Sequence, residues 1–345
     1  MKAADKVLLN QRTISPINVS RMGFGGAPLG NMDEVIAETD AQATLQAAFD
    51  AGIRYFDTAP HYGLGTSESR FGKAIERFGR SNICLSTKVG KVLHDCQPDE
   101  VTPMGFLNVP QKRLEYDYTH DGIMRSYHAS LKRLKVDKID ILLVHDVDAL
   151  SQGSQQKSDE KIRQLFDRGG YKALVELRDA GEISAIGAGV NTWQACQTLL
   201  EMADFDTFLC AGRYTLLEQD ALDTFLPMCI KHDVGIILGG PYNSGILASG
   251  ATADAVYNYA PAPKSIKQKV NKIAAICQAH NTPLIAAALQ FPLGHGAVKT
   301  IIPGAKNTAQ VAANINLLES SIPTGLWADL KSAGLMNVDA PTPNF

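Results

Sequence analysis

The sequence predicts an α/β protein built as a (β/α)8 barrel, the TIM-barrel architecture. Eight short apolar segments rich in β-forming residues lie between residues 22 and 318, and a segment with helical periodicity follows each of them. Their apolar residues are continuous rather than alternating, which is typical of parallel strands buried on both faces. No linker-like segment interrupts this order, so residues 1–345 are expected to form one domain with a core of about residues 20–320. A doubly wound open sheet is the alternative.

The predicted strands, in chain order, are residues 22–25, 55–58, 83–88, 139–145, 185–190, 207–211, 235–239 and 300–303. A β-hairpin of residues 7–10 and 13–17 precedes the first strand and is expected to close the bottom of the barrel. The first strand is not followed by a dinucleotide-type G-x-G-x-x-G motif. The absence of that motif weighs against the open sheet.

Capping signals and apolar spacing predict helices between the strands. Capping boxes predict helix starts at Thr39 and Ser265, and Gly52 and Gly181 stand where two helices should end. One further helix repeats its apolar residues every three or four positions, at Ile123, Tyr127, Leu131 and Leu134. These segments supply the helical half of the barrel pattern.

Composition narrows the classes of partner. The chain has 33 Lys+Arg and 36 Asp+Glu, a net charge of −3, and 45% hydrophobic residues, as in an ordinary globular protein. This balance offers no basic surface for nucleic acid or for an anionic membrane, so a small-molecule partner is expected. Six scattered cysteines without a C-x-x-C pair favour a reducing compartment, and cytoplasmic localisation is the expectation. Nothing in the pattern indicates an oligomeric state.

Two segments depart from the regular alternation. Residues 91–119 form a long insertion between the third strand and its helix, on the face where barrel enzymes build their active sites. We therefore expect it to be a substrate loop, with Phe106, Tyr116 and Tyr118 as candidate substrate contacts. The tail after Glu319 is expected to fold over the same face, which makes Trp327 a further candidate.

Three charged or polar residues each end an apolar strand: Asp57, Lys88 and His145. Tyr62 follows Asp57 by five residues, and His61 precedes Tyr62 as a candidate substrate contact. The carboxyl ends of barrel strands meet on one face, so we expect these side chains to lie together. Buried Lys and Asp at such positions are costly unless they pair.

This group of side chains suggests proton transfer. Tyrosine has an ordinary pKa of about 10, and a nearby Lys88 ammonium is expected to lower the pKa of Tyr62 while Asp57 keeps the lysine charged. Tyr62 is then a general acid/base, and His145 donates a hydrogen bond to the substrate oxygen. A metal-dependent hydrolase using His61, His145 and Asp146 is an alternative, but no two histidines are closely spaced on one strand, and no metal is expected.

The strings FDTAPHYG, STKVG and DILLVHD resemble the aldo-keto reductases, and the resemblance extends over nearly the whole chain. It implies that Asp57, Tyr62, Lys88 and His145 form the catalytic tetrad of that family. The string IIPGAKNTAQVAANI, residues 301–315, is similar to the family's cofactor clamp. The implied cofactor-binding residues are Gly25, Gly26, Asn191, Gly304, Ala305, Lys306, Gln310 and Asn314.

The resemblance also bears on the choice of cofactor. Many relatives carry an arginine that holds the 2′-phosphate of NADP where this chain has Gln310, which favours NAD. Lys306 could compensate, so NADP stays open. The tyrosine that usually stacks on nicotinamide is replaced by Gly239, and either Tyr214 or Tyr242 is the substitute.

The insertion, the string EYDYTHDGIMRSYHASLKRL and the pattern HDVD are similar to one branch of the family. That branch contains D-threo-aldose 1-dehydrogenase (L-fucose dehydrogenase) and pyridoxal 4-dehydrogenase. The resemblance implies oxidation of a cyclic hemiacetal, of an aldose such as L-fucose or of pyridoxal, to its lactone with NAD. An NADPH-dependent aldehyde or ketone reductase and a non-catalytic cofactor-sensing barrel are the alternatives.

Overall fold

The computed structural model describes residues 1–10 and 16–344. Its strands, β1 to β14 in chain order, are Lys6–Leu8, Asn18–Ser20, Phe24–Gly25, Tyr55–Asp57, Cys84–Val89, Lys91–Asp95, Lys112–Tyr116, Ile141–His145, Ala185–Val190, Thr207–Ala211, Gly235–Gly239, Val256–Tyr257, Ala260–Pro261 and Val298–Ile302. Its α-helices, α1 to α13, are Glu38–Asp50, Thr66–Phe78, His120–Leu134, Ala149–Gln152, Gln155–Asp167, Gly170–Asp179, Trp193–Met202, Phe225–Lys231, Ile246–Ser249, Lys264–Ala279, Leu284–Gln290, Thr308–Glu319 and Thr324–Ser332.

Eight parallel strands form the barrel, in the order β14-β11-β10-β9-β8-β5-β4-β3. Parallel bridges from Met22 to Ile301 and from Gly25 to Gly304 join the first and last strands and close the ring. The predicted (β/α)8 barrel is confirmed, and β9, β10 and β11 have the predicted bounds. The last strand begins at Val298, two residues before the predicted start, because Val298 already pairs with Ile236 of β11.

The hairpin at the start of the chain covers the end of the barrel where the strands begin. Strands β1 and β2 pair antiparallel, and Leu9, Ile17 and Val19 pack in one cluster with the inward-facing barrel residues Tyr55 and Ile141. The expected hairpin is present, but its return strand is Asn18–Ser20 rather than residues 13–17. Residues 11–15 of that prediction lie outside the described part of the chain.

Helix ends are predicted better than helix starts. Gly52 and Gly181 follow helix ends and have φ angles of +88° and +76°, which glycine adopts without strain. The predicted starts at Thr39 and Ser265 are wrong, because α1 begins at Glu38 and α10 at Lys264, so each hydroxyl lies inside its helix. Helix α3 does bury the predicted face, with Ile123, Tyr127 and Leu134 in the core and Leu131 half-buried.

The insertion of residues 91–119 is an ordered hairpin rather than an irregular loop. Its strands β6 and β7 pair antiparallel over five residue pairs. Its tip is held against the loop between β3 and α1, where Asn31 Nδ2 donates to the Leu107 carbonyl (3.1 Å) and Met32 bridges Phe106. The hairpin therefore places the Phe106 side chain over the C-terminal face of the barrel.

The tail after Glu319 packs on the outside of the barrel. Helix α13 contacts α10, and Trp327 is 2% exposed with its ring 6.2 Å from that of Phe291. Trp327 is thus a core residue, and the expectation that it contacts substrate is wrong, because α13 turns its large apolar ring into the core and away from the cavity at the strand ends. In the part of the chain that is described, no helix has the length and apolar character needed to cross a membrane.

Candidate active site

A cavity of about 500 Å³ opens at the carboxyl ends of the barrel strands. Tyr62, Lys88 and His145 line it, and Asp57 lies directly behind Lys88 at 1% exposure. The lining also includes the predicted residues His61, Phe106, Tyr116 and Asn191. The barrel thus brings together the strand-end residues that the sequence singled out.

Lys88 and Asp57 form a buried ion pair. Lys88 Nζ donates to Asp57 Oδ2 (2.7 Å) and to the Thr58 carbonyl (2.9 Å), and Ser86 Oγ donates to Asp57 Oδ1 (2.7 Å). Both charged side chains are almost fully enclosed. A buried pair of this kind is stable only when its remaining polar atoms are also satisfied, and here they are. The ammonium group is therefore fixed at the cavity wall.

The Lys88 ammonium lies 4.7 Å from the centroid of the Tyr62 ring. Burial nevertheless raises the pKa of Tyr62 well above its ordinary value, and the negative charges of Asp57 and Asp146 raise it further. The expectation that Lys88 lowers this pKa is therefore wrong for the structure as it stands, because Asp57 neutralises the ammonium and the phenol is desolvated. Tyr62 is a protonated phenol at neutral pH.

His145 is a neutral imidazole, because burial lowers its pKa well below the ordinary value. Its Nε2 is 3.5 Å from Asp146 Oδ2, and its buried Nδ1 has no hydrogen-bond partner among the described residues. A carboxylate only accepts hydrogen bonds, so the proton belongs on Nε2. At 3.5 Å the contact with Asp146 is longer than an ordinary hydrogen bond, so this N–H remains available. The ring stands edge-on to Tyr62 with centroids 6.0 Å apart, so a substrate oxygen near the phenol can accept from it.

Tyr118 lies beneath the cavity rather than in it. It is fully buried, and its hydroxyl donates to the backbone carbonyl of His145 at 2.6 Å. The expectation that Tyr118 contacts substrate is therefore wrong. Tyr116 is the last residue of β7 and lines the cavity, whereas Tyr118 lies beyond the end of that strand and supports the strand end that carries His145.

A second buried charge pair adjoins the first and was missed by the sequence analysis. Lys91 Nζ donates to Asp146 Oδ2 (2.5 Å) and to His61 Nδ1 (3.0 Å). His61, His145 and Asp146 have ligand atoms within 4.8 Å of one another, as the metal-hydrolase alternative requires. The Lys91 ammonium, however, already contacts His61 and Asp146 and supplies the positive charge that a metal ion would bring. The sequence signal that could have revealed this pair is Asp146, which directly follows the strand-end residue His145. A carboxylate buried at that position needs a positively charged partner.

Asn191 connects this second pair to the far side of the cavity. Its Nδ2 donates to Asp146 Oδ1 (3.1 Å) and to Ser151 Oγ (3.0 Å). Its Oδ1 accepts from the hydroxyl of Tyr259 (3.3 Å), a cavity-lining residue that the sequence analysis did not identify. Tyr259 lies at the turn between β12 and β13. The sequence does not indicate that this turn reaches the cavity, so the residue could not be predicted as part of the site.

The glycines assigned to the cofactor have packing roles. A Cβ added at Gly25 would lie 2.8 Å from the Ile302 carbonyl oxygen, and one at Gly26 would lie 2.7 Å from that of Asp57. At Gly304, an added Cβ would lie 2.6 Å from the Pro28 side chain. All three positions are therefore glycine because another chain segment approaches closely, across the barrel closure at Gly25, beside β4 at Gly26, and against the loop after β3 at Gly304.

The remaining clamp residues lie together at the start of α12. Asn307 caps the helix by accepting from Gln310 N (2.9 Å), while Gln310 Oε1 accepts from Lys306 N (2.8 Å). Asn314 donates to the Gly304 carbonyl and accepts from the Tyr242 hydroxyl (2.8 Å). The free N–H groups of a helix start suit a phosphate, and amide side chains suit the uncharged parts of a nucleotide, so the donor set fits a dinucleotide.

Of the two tyrosines considered for stacking on nicotinamide, Tyr242 is beside the clamp and Tyr214 is not. The Tyr214 ring is 2% exposed and packs against Phe291 and His295, outside the cavity lining. Tyr214 is therefore excluded by its burial. Tyr242 and Tyr259 are the aromatic rings positioned near the two ends of the expected cofactor site.

Comparison with known proteins agrees with this geometry. The chain is 38% identical to pyridoxal 4-dehydrogenase of Microbacterium luteolum, over 98% of this chain and 99% of the relative. It is 38% identical to D-threo-aldose 1-dehydrogenase of a Pseudomonas species, over 94% and 96%. The fold is similar to an aldo-keto reductase of Bacillus halodurans, with a TM-score of 0.70 at 23% identity, over 96% of this chain and 98% of that chain. Residues 21–334 match the description of the aldo/keto reductase family. The chain is therefore an oxidoreductase that belongs to the aldo/keto reductase family, whose members use nicotinamide dinucleotide cofactors.

Proposed function

We propose that this enzyme oxidises a cyclic hemiacetal to its lactone with NAD. The substrate is an aldose such as L-fucose, or pyridoxal, which are the classes of molecule named for the two relatives at 38% identity. The carbon that bears the hydroxyl loses a hydride, the hydroxyl loses a proton, and the C–O bond becomes the carbonyl of the lactone. The observation that carries the proposal is the convergence of Tyr62, Lys88 with Asp57, and His145 on one cavity.

Each residue of this group has a separate task. Tyr62 in its phenolate form accepts the proton from the hemiacetal hydroxyl, and the Lys88 ammonium beside its ring stabilises that phenolate before the transfer. Asp57 keeps Lys88 in place. His145 donates from Nε2 to the same substrate oxygen and orients it toward the phenol. His61, Phe106 and Tyr116 line the space for the rest of the substrate.

NAD, when bound, supplies the hydride acceptor. Asn191 holds the carboxamide end of the site, and the residues at the start of α12 hold the adenosine half: Gly304, Ala305, Lys306, Gln310 and Asn314. Gly25 and Gly26 contribute by allowing the backbone to close tightly beside that site.

The preference for NAD follows from charge. Lys306 Nζ lies 3.3 Å from a carboxylate oxygen of Asp33 and 3.3 Å from one of Glu34. The ammonium is therefore already paired, and Gln310 is neutral, so a 2′-phosphate would meet two carboxylates without a free cation. The free 2′-hydroxyl of NAD has no such repulsion.

The test is formation of NADH, followed by its absorbance, with NAD and L-fucose, D-arabinose or pyridoxal. We expect Tyr62→Phe to lower kcat/KM by about 10²- to 10⁴-fold, the usual effect of removing a general acid/base. Tyr214→Phe is the matched control, because the hydroxyl of Tyr214 has no partner among the described residues and lies outside the cavity lining. Full activity of Tyr62→Phe would contradict the proton-transfer role.

Reduction of an aldehyde or ketone is a second candidate, and the raised pKa of Tyr62 favours it, because a protonated phenol is a proton donor. The same residues then act in reverse. Consumption of NADH or NADPH with a panel of carbonyl compounds separates the two directions. Firm cofactor binding without turnover of any hemiacetal or carbonyl would contradict both and favour a cofactor sensor.

A further inference from the structure

The cluster of Lys91, Asp146 and His61 is a built part of the cavity wall that the proton-transfer group does not use. Lys91 is 1% exposed and comes from the start of the insertion, His61 from the loop after β4, and Asp146 from the residue after β8. Asp146 has a φ angle of +54°, a conformation that is costly for a residue other than glycine. Three separate segments and one strained residue therefore maintain this arrangement.

The arrangement fixes the protonation state of His61. A lysine ammonium only donates hydrogen bonds, so the Nδ1 of His61 must accept from Lys91 Nζ at 3.0 Å. Burial, and secondarily the positive charge of Lys91, lowers the pKa of His61 to about 3. The ring is therefore neutral at physiological pH, and its one proton is on Nε2.

The Nε2–H of His61 is a buried donor without a partner among the described residues. A buried donor left unpaired is destabilising, so an acceptor brought by a ligand relieves part of that cost. The ring of His61 lies 5.7 Å from that of His145 and 6.3 Å from that of Tyr62, and Phe106 packs edge-on against it at 5.4 Å. The His61 ring lines the cavity while its Nε2 is shielded from solvent, so a substrate oxygen that displaces the neighbouring wall side chains meets a donor that is already oriented, one ring away from the Tyr62 phenol.

We propose that His61 Nε2–H binds the hydroxyl on the carbon next to the reacting carbon, so that the preferred substrate is an aldose with a 2-hydroxyl group. Lys91 and Asp146 act as positioning residues that hold the tautomer. This inference rests on the proposed hemiacetal oxidation and adds the second oxygen that the enzyme recognises. The phenol oxygen of pyridoxal is one bond farther from its reacting carbon and fits this donor less well.

The experiment compares kcat/KM for L-fucose and 2-deoxy-L-fucose. We expect the parent enzyme to prefer L-fucose by about tenfold or more, the effect of one good hydrogen bond. His61→Phe should bring the ratio of the two kcat/KM values close to one. His61→Gln keeps an N–H group and should retain part of the preference for L-fucose. His128 is an exposed residue of α3, and the control variant His128→Phe should leave the ratio unchanged. A merely structural role for His61 would lower activity on both sugars equally.

The outcomes separate the two proposals. If the parent enzyme oxidises neither sugar, the proposed function is wrong for aldoses. If it oxidises both with equal kcat/KM, or if His61→Phe keeps the ratio, only the 2-hydroxyl inference is wrong. Nitrogen-15 NMR of the imidazole gives an activity-independent reading: an Nε2–H tautomer of His61 that persists between about pH 5 and 8 supports the inference, and any other state overturns it.

Discussion

Tyr62 is placed between two opposing electrostatic effects. Its phenol is desolvated and faces the negative charges of Asp57 and Asp146, which favour the protonated form. The Lys88 ammonium at 4.7 Å from the ring centroid favours the phenolate, but Asp57 already pairs with it. Tyr62 is thus protonated in the structure, and the proposed oxidation would require the Lys88 ammonium to stabilise its phenolate.

This balance predicts a different pH dependence for the two directions of the proposed reaction. Oxidation needs the phenolate, and because the pKa of Tyr62 is raised, the phenolate fraction grows about tenfold per pH unit from neutrality upward. We therefore expect kcat/KM for hemiacetal oxidation to rise between about pH 7 and 9, while carbonyl reduction, which needs the phenol, stays level. Initial rates at constant ionic strength measure both. An oxidation rate that falls over this range would argue against Tyr62 as the base.

The pairing of Lys306 predicts how cofactor preference responds to charge. Replacing Asp33 by Asn and Glu34 by Gln together releases Lys306 from both carboxylates. We expect the dissociation constant for NADPH to fall several-fold relative to that for NADH, and the change to shrink at high salt because these groups are exposed. Fluorescence titration with each nucleotide measures this directly.

Glu76→Gln is the matched control for this pair, because it removes an exposed carboxylate that pairs with Lys135 far along the chain from the clamp. It should leave the ratio of the two dissociation constants unchanged. An unchanged ratio in the double variant as well would mean that Asp33 and Glu34 do not oppose the 2′-phosphate.

The inserted hairpin of β6 and β7 is the element that shapes the substrate side of the cavity. Phe106 at its tip packs on the rings of His61 (5.4 Å) and Tyr62 (6.2 Å), while the next residue, Leu107, is 45% exposed. We expect Phe106→Ala to raise KM for the hemiacetal about tenfold, because a large apolar contact is lost, while leaving the affinity for NADH close to that of the parent.

Leu107→Ala is the neighbouring control, and it should change neither constant by more than about twofold because an exposed side chain buries little on substrate binding. Steady-state kinetics and nucleotide titration of both variants make the comparison. Equal effects of the two substitutions would show that the tip acts through the backbone and not through the Phe106 ring.

The same element shows where prediction from sequence reaches its limit. Strand ends could be located because apolar runs stop at Asp57, Lys88 and His145, and the barrel then determines that they meet. Tyr116 and Tyr118 could not be told apart, because the sequence does not indicate that β7 ends at Tyr116 and that the chain changes direction before Tyr118. Lys91 was missed because it is read as one more loop charge until Asp146 is seen beside it.

At the scale of the molecule, the barrel depends on a close contact between its first and last strands. Gly25 bridges Gly304, and a Cβ at Gly304 would lie 2.6 Å from the Pro28 side chain. We expect Gly304→Ala to destabilise the protein by about 1–3 kcal/mol, the usual cost of overpacking, in a denaturant titration. At Gly296 an added Cβ would have its nearest neighbour at 3.7 Å, so Gly296→Ala is the control and should be close to neutral. If Gly304→Ala left the free energy of unfolding almost unchanged, the contact between Gly304 and Pro28 would not constrain the closure of the barrel.

The hairpin of β1 and β2, with Leu9, Ile17 and Val19 against the inner barrel residues, seals one end of the molecule. Small molecules then reach the barrel interior from the opposite rim. In the proposed reaction the sugar, the nucleotide and the lactone would all pass that rim, so the molecule that binds first would narrow the passage for the next. We therefore expect an ordered sequence of binding and release, in which product release limits turnover as much as hydride transfer does.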